Sequence, residues 1–214
     1  TMKMLTTYIL PTSGKAYIGG TEVTADPQLV KSKVGYLPES NPLYYDMYVQ
    51  EYLEFVADVH QLGAQKQARV AEMIALTGLT KEKNKKIEAL SKGYKQRVGI
   101  AQAMIHNPDV LILDEPTTGL DPNQIVEIRN LITTIGKEKT VLLSTHIMQE
   151  VEAMCNRVII INNGQIVADN LIGEINQSTT TAHQTTLEVT FGNVIDEALL
   201  QQSFHQYQKG ATQN

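Results

Sequence analysis

Paired cysteines, long apolar runs and an excess of basic charge are all missing from this sequence of 214 residues. The single cysteine, Cys155, excludes a disulfide framework and a four-cysteine zinc site. Apolar runs such as Val110–Leu113 end after four residues, whereas a membrane-spanning helix needs about 20. The first seven residues carry no apolar core of a signal peptide. These absences predict a soluble globular protein of the cytoplasm.

The charge balance is mildly acidic, with 18 Lys and Arg residues against 23 Asp and Glu residues and a formal net charge of −5 at pH 7. General nucleic-acid binders carry the opposite charge, so we expect no nucleic acid among the partners. Hydrophobic residues make up 42% of the chain. This fraction supports a packed core and excludes a disordered chain.

Short apolar runs alternate with helical patterns along the chain. The runs are Val34–Leu37, Val110–Leu113, Val141–Leu143 and Val158–Ile161. Such alternation is typical of buried parallel strands that are joined by crossover helices. Ala16–Ile18 and Thr21–Val23 flank two glycines and predict a small antiparallel hairpin, and Asn162-Asn163-Gly164 predicts a second hairpin turn. The fold class is therefore α/β with a mostly parallel core sheet.

Helical spacing of apolar residues predicts the remaining elements. The stripes lie in Met2–Ile9, Leu53–His60, Val70–Thr77, Leu90–Ile105 and Ile125–Ile135. Ser91 and Asp121 precede two of these helices and are N-cap candidates. Beyond Leu171, the composition predicts a linker over Gln177–Thr186, a strand over Leu187–Phe191 and a helix over Ile195–Phe204.

Two adjacent carboxylates, Asp114 and Glu115, follow the apolar run Val110–Leu113 directly. This places them at the carboxyl end of a buried strand, which is the edge where open α/β sheets bind ligands. One carboxylate of such a pair can hold Mg²⁺ while the other orients an attacking water or takes its proton. An ordinary acidic strand end is the alternative interpretation.

Further candidate residues lie on both sides of this pair. Ser91 and Gly93 open a helix about 20 residues earlier, and the free N–H groups of a helix start attract anions. Asp121 follows Gly119-Leu120 shortly after the carboxylates. His146 ends the apolar run that begins at Val141. Each of these residues also has a purely structural interpretation, as a cap or as a strand-end side chain.

Taken in their order along the chain, these segments resemble the conserved motifs of the ATP-binding subunits of ABC transporters. Leu90–Gln96 resembles the signature segment, Val110–Glu115 the Walker B strand with its catalytic glutamate, Gly119–Asp121 the D-loop and His146 the switch histidine. The match runs from Thr1 to about Asp169. Gly35–Glu39 and Ser91–Tyr94 are most similar to the branch that contains ABC-2-type and gliding-motility-associated exporters.

The resemblance implies a P-loop NTPase-like fold and a role for each candidate residue. Two ATPase domains of this family hold two ATP molecules head to tail. Asp114 would then hold Mg²⁺, Glu115 would polarise the water, and His146 would contact the γ-phosphate. Ser91 and Gly93 would contact the γ-phosphate of the ATP that the partner subunit holds.

Three more residues belong to the nucleotide-binding set that the resemblance implies. Gln96 ends the signature segment, and Asp121 would act across the dimer interface. Glu39 would couple the nucleotide to a membrane partner. In the family this position usually carries Gln, so the added charge at Glu39 would weaken ATP binding beside two other carboxylates.

The implied partners are an integral-membrane permease subunit and a second ATPase domain, either another copy of the chain or a related ABC ATPase. The chain would lie peripherally on the inner face of the cell membrane through the permease. Tyr44, Tyr45 and Met47 are candidates for that contact, although tyrosines that cover a helical subdomain would look the same.

The phosphate-binding motif G-x-x-x-x-G-K-[ST] does not occur in the sequence. Thr12–Ala16 comes nearest, but Ile9 stands where the first glycine belongs and Ala16 where Ser or Thr belongs. By resemblance, Thr1–Leu5 starts the helix that follows the P-loop, so we expect a shortened chain without its first strand. Such a chain would bind Mg-ATP poorly or not at all, whereas the full gene product would be a working ATPase.

The expected organisation is an ABC ATPase domain over residues 1–176, with a helical subdomain at about 47–105, and a C-terminal extension over 177–214. Two other functions stay open. A non-catalytic regulatory subunit accounts for the missing P-loop but not for Glu115, Asp121 and His146 together. A soluble ABC-type ATPase that acts on DNA or ribosomes is disfavoured by the acidic balance and by the absence of room for a long coiled-coil insertion.

Overall fold

Three parallel strands form the central sheet of the computed structural model, which describes residues 1–173. The seven strands within that range are β1 (Tyr17–Ile18), β2 (Thr21–Glu22), β3 (Val34–Leu37), β4 (Val110–Asp114), β5 (Thr140–Ser144), β6 (Arg157–Asn162) and β7 (Gln165–Leu171). The helices are α1 (Met2–Leu5), α2 (Pro27–Lys33), α3 (Val49–Val59), α4 (Lys66–Leu76), α5 (Lys92–Met104), α6 (Pro122–Gly136) and α7 (Met148–Met154).

The strand order of the central sheet is β3-β4-β5, and every pairing is parallel. Leu37 pairs with Leu113, and Asp114 pairs with Ser144. Strand β4 is buried on both faces because alternate side chains enter different apolar clusters. Leu111 and Leu113 pack towards α3–α6, whereas Ile112 packs with Val23 and Val30 beneath the β1–β2 hairpin and α2. This confirms the parallel strands predicted at Val34, Val110 and Val141. Strands β3 and β4 are buried as predicted, whereas β5 is only partly buried.

The helical layer brings α5 close to the sheet because small residues line the contact. A Cβ on Gly35 of β3 would overlap the carbonyl oxygen of Ala103, and a Cβ on Gly99 would lie 2.6 Å from a methyl of Leu37. Helices α3, α4 and α5 bury Leu53, Met73 and Ile100 against one another. Helix α5 is thereby packed closely along β3, from Gly35 to Leu37.

Two predictions about local structure are wrong. The first helix ends at Leu5 instead of Ile9, because the chain turns at Thr7, whose φ is +59°. Val158–Ile161 is not a buried parallel strand, since β6 pairs antiparallel with β7 and Ile159–Ile161 are exposed. The predicted turn at Asn162-Asn163-Gly164 explains the pairing: Asn163 and Gly164 both have positive φ, as a tight hairpin requires. A short apolar run does not distinguish the two arrangements.

Thr1–Ile172 forms one compact unit. The predicted linker, strand and helix between Gln177 and Phe204 lie outside the described residues, so the division at residue 176 stays a prediction. In the part of the chain that is described, no helix combines the length and apolar character needed to cross a membrane.

Candidate functional site

Asp114 and Glu115 lie where β4 leaves the sheet, as the sequence predicts. The neighbouring strand supplies Ser144, whose hydroxyl donates a hydrogen bond of 2.6 Å to Oδ1 of Asp114. The same hydroxyl accepts the backbone N–H of Glu115 at 3.0 Å. One serine therefore fixes the carboxylate of Asp114 and the backbone that follows it.

Glu115 has a left-handed backbone conformation, with φ of +50°. A non-glycine residue in this region costs on the order of 1–3 kcal/mol and persists where surrounding contacts determine it. The Ser144 bond to its N–H is one such contact. The turn directs the carboxylate to two further partners: Thr118 donates to Oε2 at 3.1 Å, and Nδ1 of His146 lies 2.9 Å from the same oxygen.

His146 follows β5 and faces Glu115 across the edge of the sheet. The hydrogen bond and the charge of Glu115 raise the pKa of His146, and Glu150 and Glu39 add smaller effects of the same sign. Glu39 comes two residues after β3, at the same edge. The structure thus brings four predicted residues together, and we call Asp114, Glu115, His146 and Glu39 the acidic cluster.

The N-terminus of α5 opens on a cavity of about 280 Å³ that we call the helix-start cavity. It is lined by Ser91, Gly93, Tyr94, Arg97, Asp121, Asn123, Gln124, Glu127 and Ile128. Both predicted caps are formed: Ser91 accepts the N–H of Tyr94 at 3.4 Å, and Asp121 accepts the N–H of Gln124 at 2.9 Å. Ser91, Gly93 and Asp121 are therefore brought together. Within residues 1–173, no hydrogen bond joins them to the acidic cluster.

Gln96 does not line the helix-start cavity, and within residues 1–173 it makes no hydrogen bond to the acidic cluster. This residue belongs to α5, and its side chain is buried. Its Oε1 lies 3.5 Å from the side-chain amide nitrogen of Asn41, and the same nitrogen donates a hydrogen bond of 2.9 Å to the carbonyl of Lys95. The structure gives Gln96 a contact with the loop after β3 and none with the helix-start cavity. Its nucleotide-binding role stays a prediction without support from this geometry.

An aromatic surface lies on the helical layer near the loop after β3. Tyr44 and Tyr45 are exposed, while Met47 is partly buried. The ring of Tyr44 packs on Phe55 with centroids 5.5 Å apart and meets Tyr52 edge-on at 5.8 Å. Tyr44 therefore both covers the helical layer and presents a face to solvent, so the two interpretations of these tyrosines are compatible.

A magnesium site at the acidic cluster fits the donor set. Among the described residues, no group of three or more His, Cys, Asp or Glu side chains is arranged to hold a metal ion by itself, and this includes the acidic cluster. Mg²⁺ does not need one, because it is usually bound by one or two carboxylates while waters and phosphate oxygens complete the octahedron. Asp114, whose carboxylate is oriented by Ser144, is the residue that would hold the ion.

Sequence reasoning missed Ser144 and Thr118, which hold the two carboxylates. Ser144 stands at the end of an apolar run, and Thr118 lies three residues after Glu115, so both signals are present in the sequence. Tyr36 was also missed. Burial and the neighbouring charge of Asp114 raise the pKa of this tyrosine.

Comparison with known families gives one assignment for most of the chain. The profile of the ABC transporter family matches residues 1–118. YxlF of Bacillus subtilis, an uncharacterized ABC transporter ATP-binding protein, is 35% identical over 178 residues, which are 83% of this chain and 59% of that protein. The bacitracin transport ATP-binding protein BcrA of Bacillus licheniformis is 36% identical over 79% of this chain and 55% of its own length. The chain thus spans little more than half of these relatives.

Among solved structures, CbiO1 of Clostridium perfringens is similar in fold and sequence. It is described as part of the ABC transporter complex CbiONQ. The TM-score is 0.74 and the identity 27%, with 83% of this chain and 73% of that chain covered. The similarity confirms the predicted ABC ATPase fold of the P-loop NTPase type.

Proposed function

Because the chain belongs to the ABC transporter family of ATP-binding proteins, we propose that its complete gene product binds and hydrolyses ATP to power an exporter of the ABC-2 type. The observation that carries the proposal is the position of Glu115. It leaves the end of a buried strand in a strained conformation, directly after Asp114, and faces His146 across 2.9 Å. An ordinary acidic residue at the end of a strand would not require this strained backbone.

In this mechanism Glu115 orients the attacking water and accepts its proton, since its carboxylate is partly exposed at the edge of the sheet. His146 contacts the γ-phosphate and keeps Glu115 in place through Nδ1. Asp114 would hold Mg²⁺, which neutralises phosphate charge when it is bound. Ser144 keeps the Asp114 carboxylate turned towards that position.

The helix-start cavity would serve the nucleotide of a second subunit. Ser91 and Gly93 present the first N–H groups of α5, which have no partner inside the helix, and such groups favour anions. Asp121 lies at the start of α6 and would act across the interface. We infer a head-to-tail pair of ATPase domains, either two copies or this chain with a related one.

A permease subunit would bind the aromatic surface at Tyr44 and Tyr45. BcrA is named as a transport ATP-binding protein and CbiO1 as part of a transporter complex, which supports such a partner. The ATPase domain would then lie at the cytoplasmic face of the membrane. Glu39, which lies in the same loop after β3 as the two tyrosines, would couple the two proteins.

The test uses the protein that the complete gene encodes. ATP hydrolysis is measured with Mg²⁺ and with EDTA, and detergent extracts are analysed for proteins that co-purify. Mg²⁺-dependent hydrolysis together with a polytopic membrane protein supports the proposal. Co-purification with a permease but without hydrolysis indicates the non-catalytic regulatory subunit instead. Ribosomes or DNA in place of a permease indicate the soluble ABC-type ATPase.

A further inference from the structure

The side chain of Gln124 lies flat against the backbone of Gly93. A Cβ placed on Gly93 would meet Cδ, Oε1 and Cγ of Gln124 at 2.7, 2.9 and 3.0 Å. These distances are too short for a real Cβ, so a larger residue at position 93 would displace the flexible end of the Gln124 side chain. The space that glycine leaves open at residue 93 is therefore already filled by Gln124.

The backbone of Gln124 is held in place by the cap of α6. Its N–H donates to Asp121 at 2.9 Å, which places it in the first turn of α6. Its side chain leaves this turn towards α5 and lines the helix-start cavity with Ser91, Gly93 and Asp121. Among the hydrogen bonds of residues 1–173, none uses the carboxamide of Gln124. A side-chain amide with two N–H donors therefore borders the cavity beside the free N–H groups of α5.

We propose that Gln124 is a further nucleotide-contacting residue, which donates a hydrogen bond from its carboxamide to the terminal phosphate of the ATP held by the second subunit. The inference rests on the proposed function, in which that phosphate approaches Ser91 and Gly93. Anything that reaches the backbone of Gly93 also meets Gln124, because the two groups are in van der Waals contact. Because Asp121 and Glu127 also line the cavity, a phosphate there depends on donors such as Arg97, the N–H groups of α5 and the carboxamide of Gln124.

Gln124 would also distinguish ATP from ADP. A diphosphate held by the second subunit lacks the group that would approach Gly93, so the donor of Gln124 would remain without an acceptor. A hydrogen bond to a charged group contributes about 1.5–3 kcal/mol, which corresponds to a change in affinity of roughly tenfold or more.

The experiment measures nucleotide-driven dimerisation of the complete gene product by analytical ultracentrifugation. A Glu115→Gln background slows hydrolysis so that the ATP-bound dimer accumulates. Gln124→Leu removes the donors and keeps the size, and Gln124→Glu keeps the shape and adds a negative charge. Asn130→Leu and Asn130→Asp make matched changes at an exposed site of the same helix. Thermal unfolding shows that every variant is folded.

We expect Gln124→Leu to raise the ATP concentration for half-maximal dimerisation about tenfold, and Gln124→Glu to raise it further. Both Asn130 variants should stay within twofold of the background, and weak dimerisation with ADP should be the same in all variants. If folded Gln124 variants dimerise at the ATP concentration of the background, the proposal is overturned while the proposed function stands. If the background itself does not dimerise with ATP, the proposed function fails and this inference fails with it.

Discussion

The acidic cluster and the helix-start cavity are held together in different ways. In the acidic cluster, side chains fix one another: Ser144 holds Asp114, while Thr118 and His146 hold Glu115. In the helix-start cavity, the proposed phosphate contacts are backbone N–H groups of α5 and the carboxamide of Gln124, and the side chains of Ser91 and Asp121 act as helix caps. Single side-chain changes in the acidic cluster should therefore have larger effects, on catalysis and on stability, than changes of the two helix caps.

The largest effect is expected for Glu115→Gln in the complete gene product. Loss of a general base lowers the rate by about a hundredfold to ten-thousandfold, so kcat for ATP hydrolysis should fall by at least a hundredfold while ATP-driven dimerisation persists. A steady-state ATPase assay measures this change. The exposed carboxylate of Glu138 provides the matched control, since Glu138→Gln should stay within twofold. Equal rates for both variants would contradict the role of Glu115.

Ser144→Ala tests how much one hydroxyl contributes to the acidic cluster. It removes the bond to Asp114 and the bond that supports the strained backbone of Glu115. Because both partners are partly buried, we expect the free energy of unfolding to fall by about 1–3 kcal/mol. Urea titration of the 214-residue chain measures the loss, with the exposed Ser40→Ala as control. A change below about 0.5 kcal/mol would mean that Ser144 does not support this turn.

Ser91→Ala tests the other region by removing the cap of α5. A lost cap costs about 1 kcal/mol, whereas replacement by glycine costs only a few tenths. Since the observed bond is long at 3.4 Å, the loss should lie at or below 1 kcal/mol, and Ser91→Gly should be close to neutral. Urea titrations of the two variants make the comparison. Equal losses would show that Ser91 contributes something other than capping.

A change in the titration of His146 is expected as well. The partner Glu115 raises its pKa above the ordinary value of 6.5, so the ion pair forms below that pKa and its stabilisation is lost as the pH rises through it. His106 behaves oppositely, because burial lowers its pKa to about 4. NMR titration of the imidazole signals should give His146 the higher value, and Glu115→Gln should lower it. An unchanged value in that variant would exclude the contact in solution.

Stability should also fall on acidification between the unfolded pKa of His106 and its folded value of about 4. In this range the unfolded chain binds more protons than the folded one, so unfolding becomes easier as the pH decreases. The stacked ring of His60, with centroids 4.0 Å apart, adds to this direction because burial lowers its pKa as well. Urea midpoints measured from pH 7 to pH 4 should show the decline.

Much of the site was predictable because it lies at the ends of regular elements. Apolar runs located β3, β4 and β5, and parallel pairing then placed Glu39, Asp114 and His146 at one edge of the sheet. The caps at Ser91 and Asp121 followed from local chemistry. Gln96 was predicted from its position in a motif alone, and a motif does not indicate which face of α5 it occupies. Val158–Ile161 failed for a similar reason, since its pairing depends on a partner strand.

Local composition by itself determined the strand ends, the helix caps and the hairpin turns, because each depends on a few neighbouring residues. Only the tertiary structure decided which side chains meet. The contact of Ser144 with Asp114 joins residues of adjacent strands, and that of Gln124 with Gly93 joins the starts of two helices. Both depend on how strands and helices pack, and packing is set by the sum of many distant apolar contacts.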